Sequence, residues 1–172
     1  MELVQSNSPS RFRSVLALAG FLLLCYAVAA IGAYSTTPAI PTWYADLTKP
    51  SFNPPNWIFA PVWTALYALM ALAAWLIWRT PTEPQTLQDS ARLDALIAFY
   101  IQLVLNFLWT PIFFHYHQIL VAAVIILLLW LAILLTIVLF WRVRPLAGVL
   151  LMPYIAWVTF ATALNLAILR LN

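Results

Sequence analysis

Residues Ile119–Trp141 read ILVAAVIILLLWLAILLTIVLFW, 23 consecutive positions without one Asp, Glu, Lys or Arg and with Thr136 as the sole polar side chain. A helix needs about 20 apolar residues to cross roughly 30 Å of hydrocarbon, and this run meets that length. Working outward, four more charge-free stretches appear: Ala95–Phe114 and Ile58–Trp78 before it, Val15–Tyr34 near the start, and Leu146–Leu169 after it. The longest segment between them, Ser35–Trp57, has 23 residues, so no second domain fits. The runs are continuous rather than alternating and twice as long as a barrel strand. In lipid each backbone N–H must be satisfied within its own segment or a closed barrel. The fold predicted is all-α: an integral membrane bundle of five transmembrane helices in one domain, 1–172, with spans at about 15–34, 58–78, 95–114, 119–141 and 146–169.

Composition excludes the alternatives. Of 172 residues, 65% are hydrophobic and only 8% charged, with a mean hydropathy of +0.95. That charged fraction is about a third of what covers a soluble domain, and the apolar content excludes disorder. A single cysteine, Cys25, excludes a disulfide framework and a CxxC site. The three scattered glycines, Gly20, Gly32 and Gly148, exclude a phosphate-cradling loop. No nucleic-acid partner is expected; the bilayer is the first partner.

Arg11, Arg13, Arg79, Arg92, Arg142 and Arg144 fall on the N-terminal side of the five spans, against Lys49 and Arg170 on the other. The positive-inside bias puts the N-terminus in the cytoplasm for a plasma-type cell membrane; in an outer membrane the rule carries no weight, and that location stays open. The first span is read as an uncleaved helix, being longer than a signal-peptide core.

The spans hold no charge, whereas ion-coupled transporters place carboxylates or basic groups inside the membrane. No inverted repeat is visible. Nor is there a nucleophile–base–acid set. His115 and His117, in a short hairpin with no Cys, Asp or Glu beside them, read as polar turn residues rather than metal ligands. Cys25 reads as inert packing. No catalytic residue, metal site or required cofactor is expected.

Tryptophan is the anomaly: nine in 172 residues. Trp78, Trp109 and Trp141 lie near span ends, where an interfacial belt would put them. Trp130 and Trp157 are deep, and a buried indole N–H needs a partner or a cavity. Helical spacing gathers Trp63, Tyr67 and Met70 on one face of span two, and Gln102, Asn106 and Trp109 on one face of span three. Tyr154, Trp157, Ala161 and Asn165 share a face of span five. Such stripes can be interhelical glue, the reading preferred for Gln102. Flat π surfaces with a few donors also build a pocket for a planar, mostly apolar molecule, the reading preferred for the Trp, Tyr and Asn set. Ser35–Trp57 reads STTPAIPTWYADLTKPSFNPPNW, with five prolines and four large aromatics. Proline fixes φ and stiffens the chain, and a stiff aromatic loop over a bundle mouth is a lid, here carrying Trp43, Lys49, Pro54, Pro55 and Trp57. The alternative is a loop lying on the bilayer.

WYADLTKPSFNPPNWIFAPVWTALYALM (Trp43–Met70), QLVLNFLWTPIFF (Gln102–Phe114) and PYIAWVTFATALNLAILRLN (Pro153–Asn172) resemble the TspO/MBR family of bacterial tryptophan-rich sensory proteins and the mitochondrial translocator protein, or peripheral benzodiazepine receptor. The resemblance implies a first-loop lid over a pocket for protoporphyrin IX or related tetrapyrroles and for isoquinoline or benzodiazepine-type ligands. It implies homodimers and a role in stress or oxygen/light responses linked to tetrapyrrole levels. It carries pocket roles onto Trp63, Tyr67, Asn106, Trp109, Trp157, Ala161 and Asn165. Leu166 stands where the animal sterol pattern has Tyr, so specific sterol binding is not expected. Three functions are compatible with these residues, in this order: a tetrapyrrole-binding receptor or sensor, a passive transporter of porphyrins or amphiphiles, and light- and oxygen-dependent porphyrin breakdown in which the absorbing ligand supplies the hard step.

Overall fold

The computed structural model describes residues 10–82 and 86–172, and among them every regular element is helical. Five segments are long and apolar enough to cross a membrane. The first is α1 (Arg11–Thr36). A short α2 (Trp43–Asp46) follows in the loop, and a 3-10 turn at Asn56–Ile58 leads into α3 (Phe59–Trp78). Next come α4 (Leu87–Phe114) and α5 (Ile119–Val143). The last crossing is broken into α6 (Pro145–Leu150) and α7 (Met152–Leu171).

The helices outrun the charge-free stretches in ways that local chemistry explains. α4 begins at Leu87, eight residues before the apolar run: the Thr86 hydroxyl accepts from the Asp89 N–H at 3.3 Å, capping the helix. Arg92 then pairs with Asp89 at 2.7 Å across one turn. The last span bends at Leu151, immediately before the pair Met152–Pro153 that opens α7; proline suits the first turn of a helix and cannot continue one. Gly148 permits the tight return from α5, since a Cβ there would lie 2.8 Å from Cε3 of Trp141 and 3.3 Å from the Ile137 carbonyl.

Packing runs in a closed ring. α1 lies on α3 and α4, α4 on α5, α5 on α6 and α7, and α6 returns to α3. Ala71, Ala73 and Ala74 of α3, Ala95 and Ala98 of α4 and Ala122 and Ala123 of α5 are buried, so small side chains are spent on close approach within the bundle. Leucines and valines such as Leu127, Leu128, Leu131 and Val138 face outward, as a lipid-immersed surface requires. α1 contributes only Phe21 and Cys25 to the buried set and is the most outward of the five spans. α3, α4 and α7 surround the interior, where their side chains meet.

Candidate functional site

The interior between α3, α4 and α7 is crossed by one chain of hydrogen bonds. Tyr67 Oη of α3 donates to Asn106 Oδ1 of α4 at 2.6 Å, and Asn106 Nδ2 donates to Tyr154 Oη of α7 at 2.9 Å. Tyr154 Oη in turn donates to Gln102 Oε1, one turn back along α4, at 2.9 Å. All four residues are buried. An unpaired amide in an apolar interior costs a few kcal/mol, so this relay is what lets Asn106 and Gln102 sit in the membrane core. It locks three helices to each other at one level. Gln102 thus serves as interhelical glue, and Asn106 and Tyr154 share that structural duty.

The rings lie around this relay. Trp63 stands 5.6 Å from Tyr67 and 6.3 Å from Tyr154, centroid to centroid. Toward the lid, Trp157 sits between Phe59, at 5.8 Å, and Phe160, at 5.4 Å. Trp109 stacks on Phe113 at 5.6 Å. Ala161 is buried on the same face of α7, one turn beyond Trp157. The phenylalanines were not singled out from the sequence, although Phe160 at i+3 from Trp157 and Phe113 at i+4 from Trp109 carry the spacing signal.

Beyond the relay the polar groups are left unmatched. Trp109 Nε1, Trp157 Nε1 and both amide atoms of Asn165 are buried and find no hydrogen-bond partner among the described residues, as does Gln102 Nε2. Asn165 is only 2% exposed. Four donors and one acceptor on α4 and α7 are thus buried without a partner among the described residues. Two other tryptophans are paired: Trp130 Nε1 donates to Thr159 Oγ1 at 2.8 Å and Trp75 Nε1 to the Ser14 carbonyl at 2.9 Å. Trp109 therefore belongs with the interior set and not with an interfacial belt, while Trp141 is exposed.

The loop above is folded onto this end of the bundle. Tyr44 is buried, with its ring 5.6 Å from Phe114, and its hydroxyl donates to Asn53 Oδ1 at 2.8 Å. Burial raises the Tyr44 phenol above its ordinary value of 10. Lys49 Nζ donates to the carbonyls of Ala45 and Leu47, both at 2.9 Å, and lies 5.0 Å from the centre of the Tyr44 ring. Phe52 meets Phe160 at 6.3 Å. The Asn172 amide pairs with Thr48, accepting from its N–H at 3.0 Å and donating to its carbonyl at 3.1 Å. Trp43 and Lys49 lie in the loop segment packed on this end of the bundle, and Pro54–Pro55 lead into the 3-10 turn. Trp57, in that turn, is 73% exposed.

A surface groove lies elsewhere. It measures about 960 Å³, opens on the outside of the bundle between the ends of α1 and α4, and is lined by Ala33, Tyr34, Pro38, Pro111, His115 and Tyr116 among others, sharing no residue with the interior set. Among the described residues no three His, Cys, Asp or Glu side chains cluster as metal ligands would.

With five apolar helices enclosing an aromatic interior, comparison with known proteins decides the relationship. The model of the TspO/MBR family matches residues 21–171. The chain belongs to the TspO/MBR family. It is 37% identical to protein CrtK of Rhodobacter capsulatus, over 92% of this chain and 94% of that protein. It is 38% identical to the tryptophan-rich protein TspO of Archaeoglobus fulgidus, over 92% and 99%. With the human translocator protein it shares 42% identity, over 76% of this chain and 75% of the relative. This TspO/MBR member is accordingly an integral, multi-pass membrane protein of a sensor and translocator family.

Proposed function

We propose that this protein is a membrane receptor or sensor that binds a tetrapyrrole such as protoporphyrin IX between α3, α4, α7 and the covering loop, and so links tetrapyrrole level to stress or oxygen/light responses. The observation that carries the proposal is the unmatched set Trp109 Nε1, Trp157 Nε1 and Asn165 Oδ1/Nδ2 among aromatic rings. A planar macrocycle offers π faces to Trp63, Trp157 and Phe160 and polar atoms to those donors, at a place where an unpaired buried group costs about 1–3 kcal/mol. No resident cofactor is invoked. The N-terminus is assigned to the cytoplasm on the six-to-two arginine and lysine bias, and a homodimer is assigned on family likeness. The same interior suits isoquinoline and benzodiazepine-type ligands, which are largely aromatic and carry a carbonyl or ring nitrogen as acceptor.

The test is equilibrium titration of purified protein with protoporphyrin IX, followed through the porphyrin's own absorbance so that tryptophan substitutions leave the signal intact. Trp63→Ala and Trp157→Ala are expected to weaken binding at least tenfold; unchanged affinity in both refutes this site. A second reading, passive passage of the same ligand across the membrane, draws on the absence of any charged side chain from the described interior. It is checked by porphyrin flux in proteoliposomes against protein-free vesicles.

A further inference from the structure

The hairpin between α4 and α5, residues His115–Gln118, holds the single described non-glycine residue with a left-handed backbone: His117, at φ +56°. Left-handed conformation disfavours side chains with a Cβ, though histidine adopts it several-fold more readily than most. Here it turns the chain in four residues and brings the His117 imidazole flat against Trp43 of the loop, centroids 4.2 Å apart and planes 13° from parallel. Trp43 is also held edge-on by Phe113, at 5.5 Å. The next residue, Tyr44, anchors on Phe113 and Phe114. Besides the ring contacts of Tyr44 and Phe52, two further ties hold the cover, the His117–Trp43 stack at its start and the Thr48–Asn172 amide pair further along. The two ties differ in chemistry. The amide pair has no proton to gain or lose near neutrality, whereas histidine is the side chain whose charge changes between pH 5 and 8.

We infer that the His117–Trp43 stack is a proton-sensitive latch that holds the covering loop on the bundle. As an imidazolium, His117 adds the attraction of a cation for the indole face to the ring stacking that the neutral form already has. The imidazole is on the exposed side of the stack, so it exchanges protons without the cover having to lift. The charged and titratable groups around this end are few. The loop carrying Trp43 brings Asp46 and Lys49, and Lys49 is occupied by the Ala45 and Leu47 carbonyls. The hairpin brings His115, whose ring lies edge-on to Tyr116, and α7 brings Arg170. The charged residues of α4 and α5, Asp89, Arg92, Asp94 and Arg142, belong to the opposite end of the bundle. Lower pH thus tightens the latch and higher pH relaxes it. That this controls access to a ligand rests on the function proposed above; the latch itself does not.

The first measurement needs no ligand. Amide hydrogen exchange of segment 39–48 is compared between the native chain and His117→Asn at pH 5.5 and pH 8, each ratio taken at one pH so that intrinsic exchange cancels. Asparagine accepts the left-handed turn and removes both ring and proton. Exchange in the variant is expected to run about threefold to tenfold faster than native at pH 5.5, with a smaller ratio at pH 8. His117→Tyr keeps a ring on Trp43 without a titrating proton, so its ratio to native is also expected to be larger at pH 5.5 than at pH 8, and below that of His117→Asn at both values. His115→Asn is expected to behave as native. Ratios for His117→Asn equal at the two pH values overturn the inference, as does loss of the pH effect in His115→Asn. The association rate of protoporphyrin IX is then followed in the same proteins. Native-like pH dependence of exchange with an unaltered association rate leaves the latch standing and removes it from the ligand's route.

Discussion

Replacing Asn165 with leucine moves stability and ligand affinity in opposite directions, which distinguishes a site kept for binding from one kept for the fold. Asn165 is buried, and neither its Oδ1 nor its Nδ2 has a partner among the described residues. Leaving a buried polar group unsatisfied costs about 1–3 kcal/mol. Leucine has the same branching and no polar atom, but its methyls are larger than the amide atoms, and overpacking returns about 1 kcal/mol or more of that gain. The net expectation is an unliganded protein more stable by about 1 kcal/mol. That corresponds to a rise in midpoint of about 2–4 °C for a chain of this length. Binding loses a donor and an acceptor in an apolar setting, about 1–3 kcal/mol, or roughly fivefold to 150-fold in Kd. Thermal unfolding in one detergent, monitored by circular dichroism, gives the first quantity, and porphyrin titration gives the second. A variant that is destabilised yet binds normally refutes the reasoning, because Asn165 would then be a structural residue with partners.

Tyr154→Phe is the counterpart: it deletes the hydroxyl that accepts from Asn106 and donates to Gln102, and is expected to cost about 1–3 kcal/mol on the hydrogen-bond strengths found between membrane helices, read as a lowered thermal midpoint. Combining it with Gln102→Leu should recover part of that loss, and strict additivity in the cycle would mean the two side chains do not act together. Gly148→Ala places a methyl 2.8 Å from the Trp141 ring and should destabilise by about 1–3 kcal/mol; Trp141→Ala in the same chain should relieve most of it. Burial raises the Tyr44 phenol, so its contribution is complete below the unfolded value of about 10 and is lost as pH climbs toward the raised one. Exchange of the covering loop should accelerate above about pH 10 in the native chain and not in Tyr44→Phe.

The five crossings were legible because charge is excluded from hydrocarbon: runs such as Ile119–Trp141 have one physical interpretation, and the structure has helices there. Helix ends were less so. The start of α4 depends on the cap at Thr86 and the Asp89–Arg92 pair, which hydropathy does not weigh. Stripes at helical spacing singled out Tyr67, Asn106, Tyr154 and Asn165, all of which are buried, because spacing reports which side chains share a face. Spacing does not report which of them pair across helices. That Asn106 is satisfied by two tyrosines while Asn165 is left unmatched depends on helix rotation and register, and these emerge only when the ring closes. The links His117–Trp43 and Asn172–Thr48 join residues 74 and 124 positions apart and leave no local signature.

The ring order also dictates when the interior comes into being. α7 supplies Tyr154, Trp157, Ala161 and Asn165, and it is made after the other four crossings have left the ribosome. Until then Tyr67 and Asn106 have only each other, and the donor Nδ2 of Asn106 waits for a hydroxyl that has not been synthesised. A chain ending before Met152 lacks the hydroxyl to which Asn106 Nδ2 donates. Assembly of the bundle and completion of its most distinctive chemistry are a single event, set by the arrival of the final helix.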